Sequence, residues 1–138
     1  MLTMSTRVLA AVIERDQETL ICRRPNHKRH GGLWEFPGGK VELGESDFLA
    51  VERELEEELK LVVTWVGEVG FSIADPGSEF IIEFIPVQAE GDPQCLEHSE
   101  LAWVSDEELL AYDLAPSDRK FAEYRLSEQR GLSQDPTK

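Results

Sequence analysis

The stretch GKVELGESDFLAVERELEEELKL, residues 39–61, decides how this chain reads. Phe48, Val51, Leu55 and Leu59 recur at the spacing of a helix with one buried stripe. Ser46 stands before them with a hydroxyl that can accept an orphan N–H of a first turn, so a helix is expected over 47–60. Glu54, Glu57 and Glu58 then stand at i, i+3 and i+4 and share one side, across an arc of roughly 100° that borders the apolar stripe. Arg53 and Lys60 are the only basic residues near them. Three crowded carboxylates repel one another, and a hard cation with oxygen ligands turns that repulsion into binding. The Gly38-Gly39 pair, read as a turn, could add a main-chain carbonyl, because glycine permits close backbone approach. Taken alone, ExxEE fits a solvated acidic face better than a metal site; its surroundings change that balance.

Residues 7–13 are apolar and β-branched and read as a buried strand, 14–18 as a polar turn and 19–22 as the returning strand. Residues 23–33 form a basic loop broken by Pro25 and Gly31-Gly32, followed by a short extended piece over 34–40. After the helix, 62–73 and 79–88 read as two strands joined at Asp75-Pro76-Gly77. A turn at Gly91-Asp92-Pro93 and a short strand over 101–104 follow. Ser105 and Glu108 make a capping box for a helix of about two turns. A last helix is expected over 117–129, and 131–138 as a flexible tail. The whole reads as a single domain over 1–130, of α+β class, with a mixed sheet packed between helices.

Lys and Arg number 14 against 28 Asp and Glu, a formal net charge of −14. That field argues against a sequence-independent grip on duplex nucleic acid, and it obliges a nucleotide site to bring its own positive charge. Acidity of this kind also serves solubility alone. Cys22 and Cys95 lack CxxC partners and are expected as buried free thiols. No apolar run approaches a membrane span, and residues 1–13 lack the organisation of a signal peptide, so the cytoplasm is the expected compartment. Monomer and homodimer both stay open.

Gly39, Glu45, Arg53-Glu54-Leu55, Glu57-Glu58 and Leu61 match Gly-x5-Glu-x7-Arg-Glu-apolar-x-Glu-Glu-x-Gly-apolar, and in that register the segment resembles the Nudix box. Six polar or glycine positions at fixed offsets coincide by chance on the order of once in a million registers, from ordinary composition. The pattern fails once: Lys60 stands where the box has glycine, at a helix end where a positive φ is expected, with a penalty of about 1 kcal/mol for lysine. Trp34-Glu35-Phe36-Pro37-Gly38-Gly39-Lys40, the stretch from Glu97 to Val104 and Leu114-Ala115-Pro116-Ser117-Asp118 extend the resemblance to the MutT branch, over most of residues 5–125.

The resemblance implies an α/β/α Nudix sandwich that hydrolyses a nucleoside triphosphate to a monophosphate and pyrophosphate, with Mg2+ as cofactor; whether Mn2+ replaces it stays open. It makes Glu57 and Glu58 principal metal ligands, with the Gly38 carbonyl as a third. Glu54 and Glu97 are each implied as a metal ligand or a catalytic base. Arg53 holds the carboxylates in place, and Glu45 belongs to the metal cluster or supports it. Arg24, Lys40, Phe36 and Asp118 are the implied substrate contacts: Arg24 for phosphate, Phe36 as a wall for the base, Asp118 as its reader. A solvated arginine, core packing of Phe36 and a helix-start role for Asp118 are the competing readings. Residues 71–78 contain no arginine, which the branch's enzyme for 8-oxo-dGTP uses against the base there; cytidine-type triphosphates therefore stay open. Another nucleoside pyrophosphate (a nucleotide sugar or a triphosphorylated RNA end) and a non-catalytic nucleotide-binding module are the alternatives.

Overall fold

The computed structural model describes residues 5–133. β1 (Thr6–Arg15) is its axis. It lies parallel to β7 (Phe80–Glu90), from Thr6 opposite Phe80 to Ile13 opposite Val87. Its other edge takes β4 (Gly38–Lys40) antiparallel, with Ala10 opposite Gly38, and only its last two residues pair with β2 (Glu18–Arg23). Asp16 and Gln17, at φ 52° and 67°, make the two-residue turn between β1 and β2. β2 carries β3 (Trp34–Glu35) and β8 (Glu100–Val104), both antiparallel. The outer edge of β7 carries β5 (Val62–Val66) and β6 (Phe71–Ala74).

Strands this apolar are buried on both faces, and side-chain alternation sorts them. Leu9, Ala11 and Ile13 of β1, Leu20 and Cys22 of β2 and Ile85 and Val87 of β7 pack with Val51, Leu55 and Leu59 of α1 (Asp47–Leu59). Ala10, Val12, Ile21 and Phe84 point the other way, into a second core with Leu109 of α2 (Asp106–Leu109) and Phe121 and Ala122 of α3 (Pro116–Ser133). Sheet between helices is the expected sandwich. No helix among the described residues is long and apolar enough to cross a membrane.

Several expectations need correction. The stretch 62–73 is two strands, because Pro86 of β7 has no N–H to offer. Opposite it the chain bows away at 67–70, returning through Gly67 N–H to the Pro86 carbonyl (2.9 Å) and Gly70 N–H to that of Phe84 (2.9 Å). Gly38-Gly39 is no turn but strand; a Cβ on Gly38 would lie 1.9 Å from the Leu9 carbonyl oxygen, so only glycine lets β4 approach β1 there. Phe48 is exposed, and Ala50 joins Val51, Leu55 and Leu59 as the buried face of α1. Cys22 is buried but Cys95 is exposed. The capping box of Ser105 and Glu108 is formed, yet α2 is one turn long. α3 runs on to Ser133, and residues 134–138 of the expected tail lie outside the described residues.

Candidate active site

Ser46 caps α1 by accepting the Leu49 N–H (3.2 Å). At the other end Lys60 adopts the left-handed conformation (φ 59°, ψ 34°), its N–H donating to the Glu56 carbonyl at 3.1 Å. The helix therefore ends where the box demands a glycine geometry, with lysine in it.

Arg53 braces the carboxylates. Its Nε and Nη2 donate to the two oxygens of Glu45, each at 2.8 Å, while Nη1 donates to Glu54 at 2.7 Å and Nη2 to the Lys40 carbonyl at 3.1 Å. Those hydrogen bonds, with the Glu42 N–H, hold the Glu45 carboxyl down at about 2 and raise the guanidinium above its usual range. Bidentate geometry fixes orientation as well as charge. Glu57 is exposed, with its nearer oxygen 3.7 Å from Arg53 Nη1.

Glu58 is buried, and burial, reinforced by a hydrogen bond and charge from Glu54, pushes its carboxyl far above the carboxylate range. Its Oε2 has no hydrogen-bond partner. It lines a cleft of about 140 Å³ with Glu54, Glu97, Gly38, Arg24 and Lys28. Gly39 lets β4 pass directly over Glu54, whose carboxylate carbon would lie 2.4 Å from a Cβ at that position. Glu35 and His98 complete the cleft, and the sequence reading missed both. His98 Nε2 bonds Glu35 Oε2 (3.0 Å) and lies 3.6 Å from Glu58 Oε1, while Glu35 also receives Arg24 Nη1 at 3.0 and 3.2 Å. The signal for Glu35 was a lone charge in a stretch of aromatics, proline and glycine.

A divalent cation fits this cleft by its donor set. Hard carboxylate oxygens of Glu54, Glu58 and Glu97 line it with Gly38, whose carbonyl is a further donor, and one buried oxygen of Glu58 is orphaned. Among the described residues no three acidic, histidine or cysteine side chains are already gathered to hold an ion, so water or substrate oxygens would complete its sphere. Glu57 and Glu45 lie outside the cleft lining.

A larger cleft of about 280 Å³ adjoins the first and shares Arg24, Glu35 and Gly38 with it. Lys40 lines it, with its Nζ 5.0 Å from the Phe80 ring. Phe36 serves both its readings: it lines the cleft and packs edge-to-face on Phe84 and Phe121 in the core. Backbone bonds from Trp34 N–H to the Asp113 carbonyl (2.7 Å) and from Ala115 N–H to that of Trp34 (2.8 Å) dock the start of α3 on this wall. Asp118 is thereby buried beside Phe36, accepting its N–H at 2.9 Å, and burial, with the nearby Glu35 charge, pushes its carboxyl up to about 8. Of the candidates, Arg24, Lys40, Phe36 and Asp118 meet in this cleft, and Glu54, Glu58, Glu97 and Gly38 in its neighbour.

Residues 4–124 match the family model described as the NUDIX domain. The chain is 44% identical over 117 residues to the CTP pyrophosphohydrolase of Escherichia coli K12, covering 80% of this chain and 84% of that one. It is 43% identical over 58 residues to the 8-oxo-dGTP diphosphatase of Proteus vulgaris, covering 41% of this chain and 52% of that one. A solved structure from a study of MutT of Aliivibrio salmonicida and Vibrio cholerae superposes with a TM-score of 0.75 at 32% identity, over 89% of this chain and 98% of that one.

Proposed function

The chain belongs to the NUDIX family, and from that premise we propose that it hydrolyses a nucleoside triphosphate, in the presence of Mg2+, to the nucleoside monophosphate and pyrophosphate. The observation that carries this reading is the pair of adjoining clefts, one lined by carboxylates and the other by aromatic and polar groups, with Arg24 and Gly38 common to both. A base and sugar fill the larger cleft while the phosphates run across Arg24 into the smaller.

Glu58, Glu97 and the Gly38 carbonyl would hold a divalent cation, which when bound would supply positive charge against the phosphates and lower the pKa of a bound water. Arg24 and Lys40 bind and orient the phosphates, and Arg24 is itself oriented by its two-oxygen contact with Glu35. Glu54, its carboxylate set by Arg53 and by the close passage of Gly39, takes the proton of the attacking water. Glu57, at the exposed edge of the helix beside Arg53, would be a further carboxylate ligand for the cation. The activity belongs in the cytoplasm, where nucleotide pools are.

Relatives bear the names of a CTP and an 8-oxo-dGTP enzyme. The lack of arginine over 71–78 favours the cytidine-type substrate for this chain. The test is a panel of ordinary and oxidised nucleoside triphosphates, ADP-ribose and triphosphorylated RNA with Mg2+. Turnover of triphosphates, abolished by Glu54→Gln, supports the proposal. Cleavage of ADP-ribose or RNA alone transfers it to another pyrophosphate, and binding without turnover on the whole panel overturns it.

A further inference from the structure

Asp75 opens the expected turn between β6 and β7, its carbonyl accepting the Ser78 N–H at 3.2 Å, and it also lines the larger cleft. Its Oδ1 accepts the hydroxyl of Ser117 at 2.8 Å, from the start of α3, and its Oδ2 accepts that of Ser78 at 2.9 Å. Ser117 is itself buried. Both oxygens thus receive protons from hydroxyls, one from the start of α3 and one from within the same turn, and each keeps a lone pair. The nearest cation, Arg29 Nη2, stands at 3.7 Å, beyond hydrogen-bond reach. Asp75 is held as an acceptor at the wall of the larger cleft.

We propose that Asp75 is a specificity-determining residue that selects bases carrying an exocyclic amino group, as cytosine does, over oxo bases such as uracil. The inference rests on the nucleotide reading above and deepens it. An amino group donates to the free lone pair; an oxo group in its place sets two acceptors face to face in a buried site and leaves both unpaired. Asp118, next in the chain to Ser117, supplies the complementary partner. Its Oδ1 accepts the Phe36 N–H, so when neutral it carries its proton on Oδ2 and donates to the ring nitrogen beside the amino group. Acceptor beside donor matches the cytosine edge and opposes that of uracil. A site built on such a bond rejects the mismatched analogue by several powers of ten in other enzymes, and about 100-fold is the expectation for a single contact.

The experiment compares kcat/KM for CTP and UTP, equal in size and charge, in the wild type, Asp75→Asn and Ser117→Ala. The wild type should prefer CTP by about 100-fold. Asp75→Asn, whose amide can turn an NH2 toward an oxo group, should shrink that ratio at least tenfold, mainly by a gain on UTP. Ser117→Ala, which frees one oxygen of Asp75, should shrink it less. A purely structural Asp75 would lower both substrates and the melting temperature together while the ratio held, and that result overturns the proposal. If the wild type turns over no triphosphate, the enzymatic reading fails, and calorimetric binding of CMP against UMP to the same variants still decides on Asp75: a CMP preference lost in Asp75→Asn supports it, equal binding by the wild type refutes it.

Discussion

Gly39→Ala separates the chemistry of the site from the stability of the fold. A Cβ at Gly39 falls 2.4 Å from the carboxylate carbon of Glu54 and 2.5 and 2.6 Å from its oxygens. Ordinary contacts need about 3.5 Å, so the carboxylate must retreat by about 1 Å. The retreat strains little, since it moves the end of a flexible side chain and Gly39 has no positive φ for alanine to resist. It does take Glu54 from its 2.7 Å contact with Arg53. A misplacement of about 1 Å in a reacting group lowers a rate by ~100-fold, or about 2.7 kcal/mol of barrier. The expected result is therefore kcat down by about two orders of magnitude, KM little changed and a melting temperature near that of the wild type. Gly38→Ala is the control with the opposite outcome. Its Cβ meets the Leu9 carbonyl oxygen at 1.9 Å at a residue with φ 154°, so the β1–β4 pairing must open and the melting temperature must fall. Steady-state kinetics with saturating Mg2+, beside thermal melts followed by circular dichroism, read both. A folded Gly39→Ala enzyme with wild-type kcat would refute the role given to the Glu54 carboxylate.

Lys60→Gly removes the left-handed penalty at the end of α1, so it should stabilise by about 1 kcal/mol, or roughly 3 °C in melting temperature, with kcat unchanged; a lower melting temperature contradicts the cap assignment. Glu58→Gln removes a carboxyl that burial forces to take up a proton on folding at neutral pH, so the metal-free protein should melt about 3 °C higher, for ~1 kcal/mol or more gained, while the upward shift that Mg2+ gives the wild type disappears. A Mg2+ shift that survives the substitution removes Glu58 from the ligand set. Asp118→Asn tests the neutral carboxyl. Burial raises the folded-state value to about 8 from 3.8, so between those values only the unfolded chain loses its proton and the wild type loses stability as pH rises. The stability advantage of Asp118→Asn, read from melts at each pH, should grow from pH 4 to 8 by about a few kcal/mol and level off above. A pH-independent difference places the carboxyl in water.

The helix and its carboxylates were legible because their meaning is local: a 3.6-residue period, a serine cap and fixed offsets place Arg53, Glu54 and Glu58 before any tertiary contact is known. The strands were legible for the same reason, and their apolar runs foretold burial on both faces. What escaped depends on partners distant in sequence. The break in 62–73 follows from Pro86 across the ladder, and Phe48 is exposed although it keeps the helical spacing. Glu35 and His98 meet across 63 residues, and Asp75 bonds Ser117 across 42. The Asp-Pro-Gly sequence announces the turn at 75–77, but that Asp75 also lines a cleft depends on the start of α3 arriving beside it.

The most direct test of the account is the identity of the products formed from CTP in 18O-labelled water, with and without Mg2+. Metal-dependent release of CMP and pyrophosphate, lost on chelation and in Glu54→Gln, is the predicted result. CDP with orthophosphate, or cleavage that persists without divalent metal, would contradict the assignment of the carboxylate cleft.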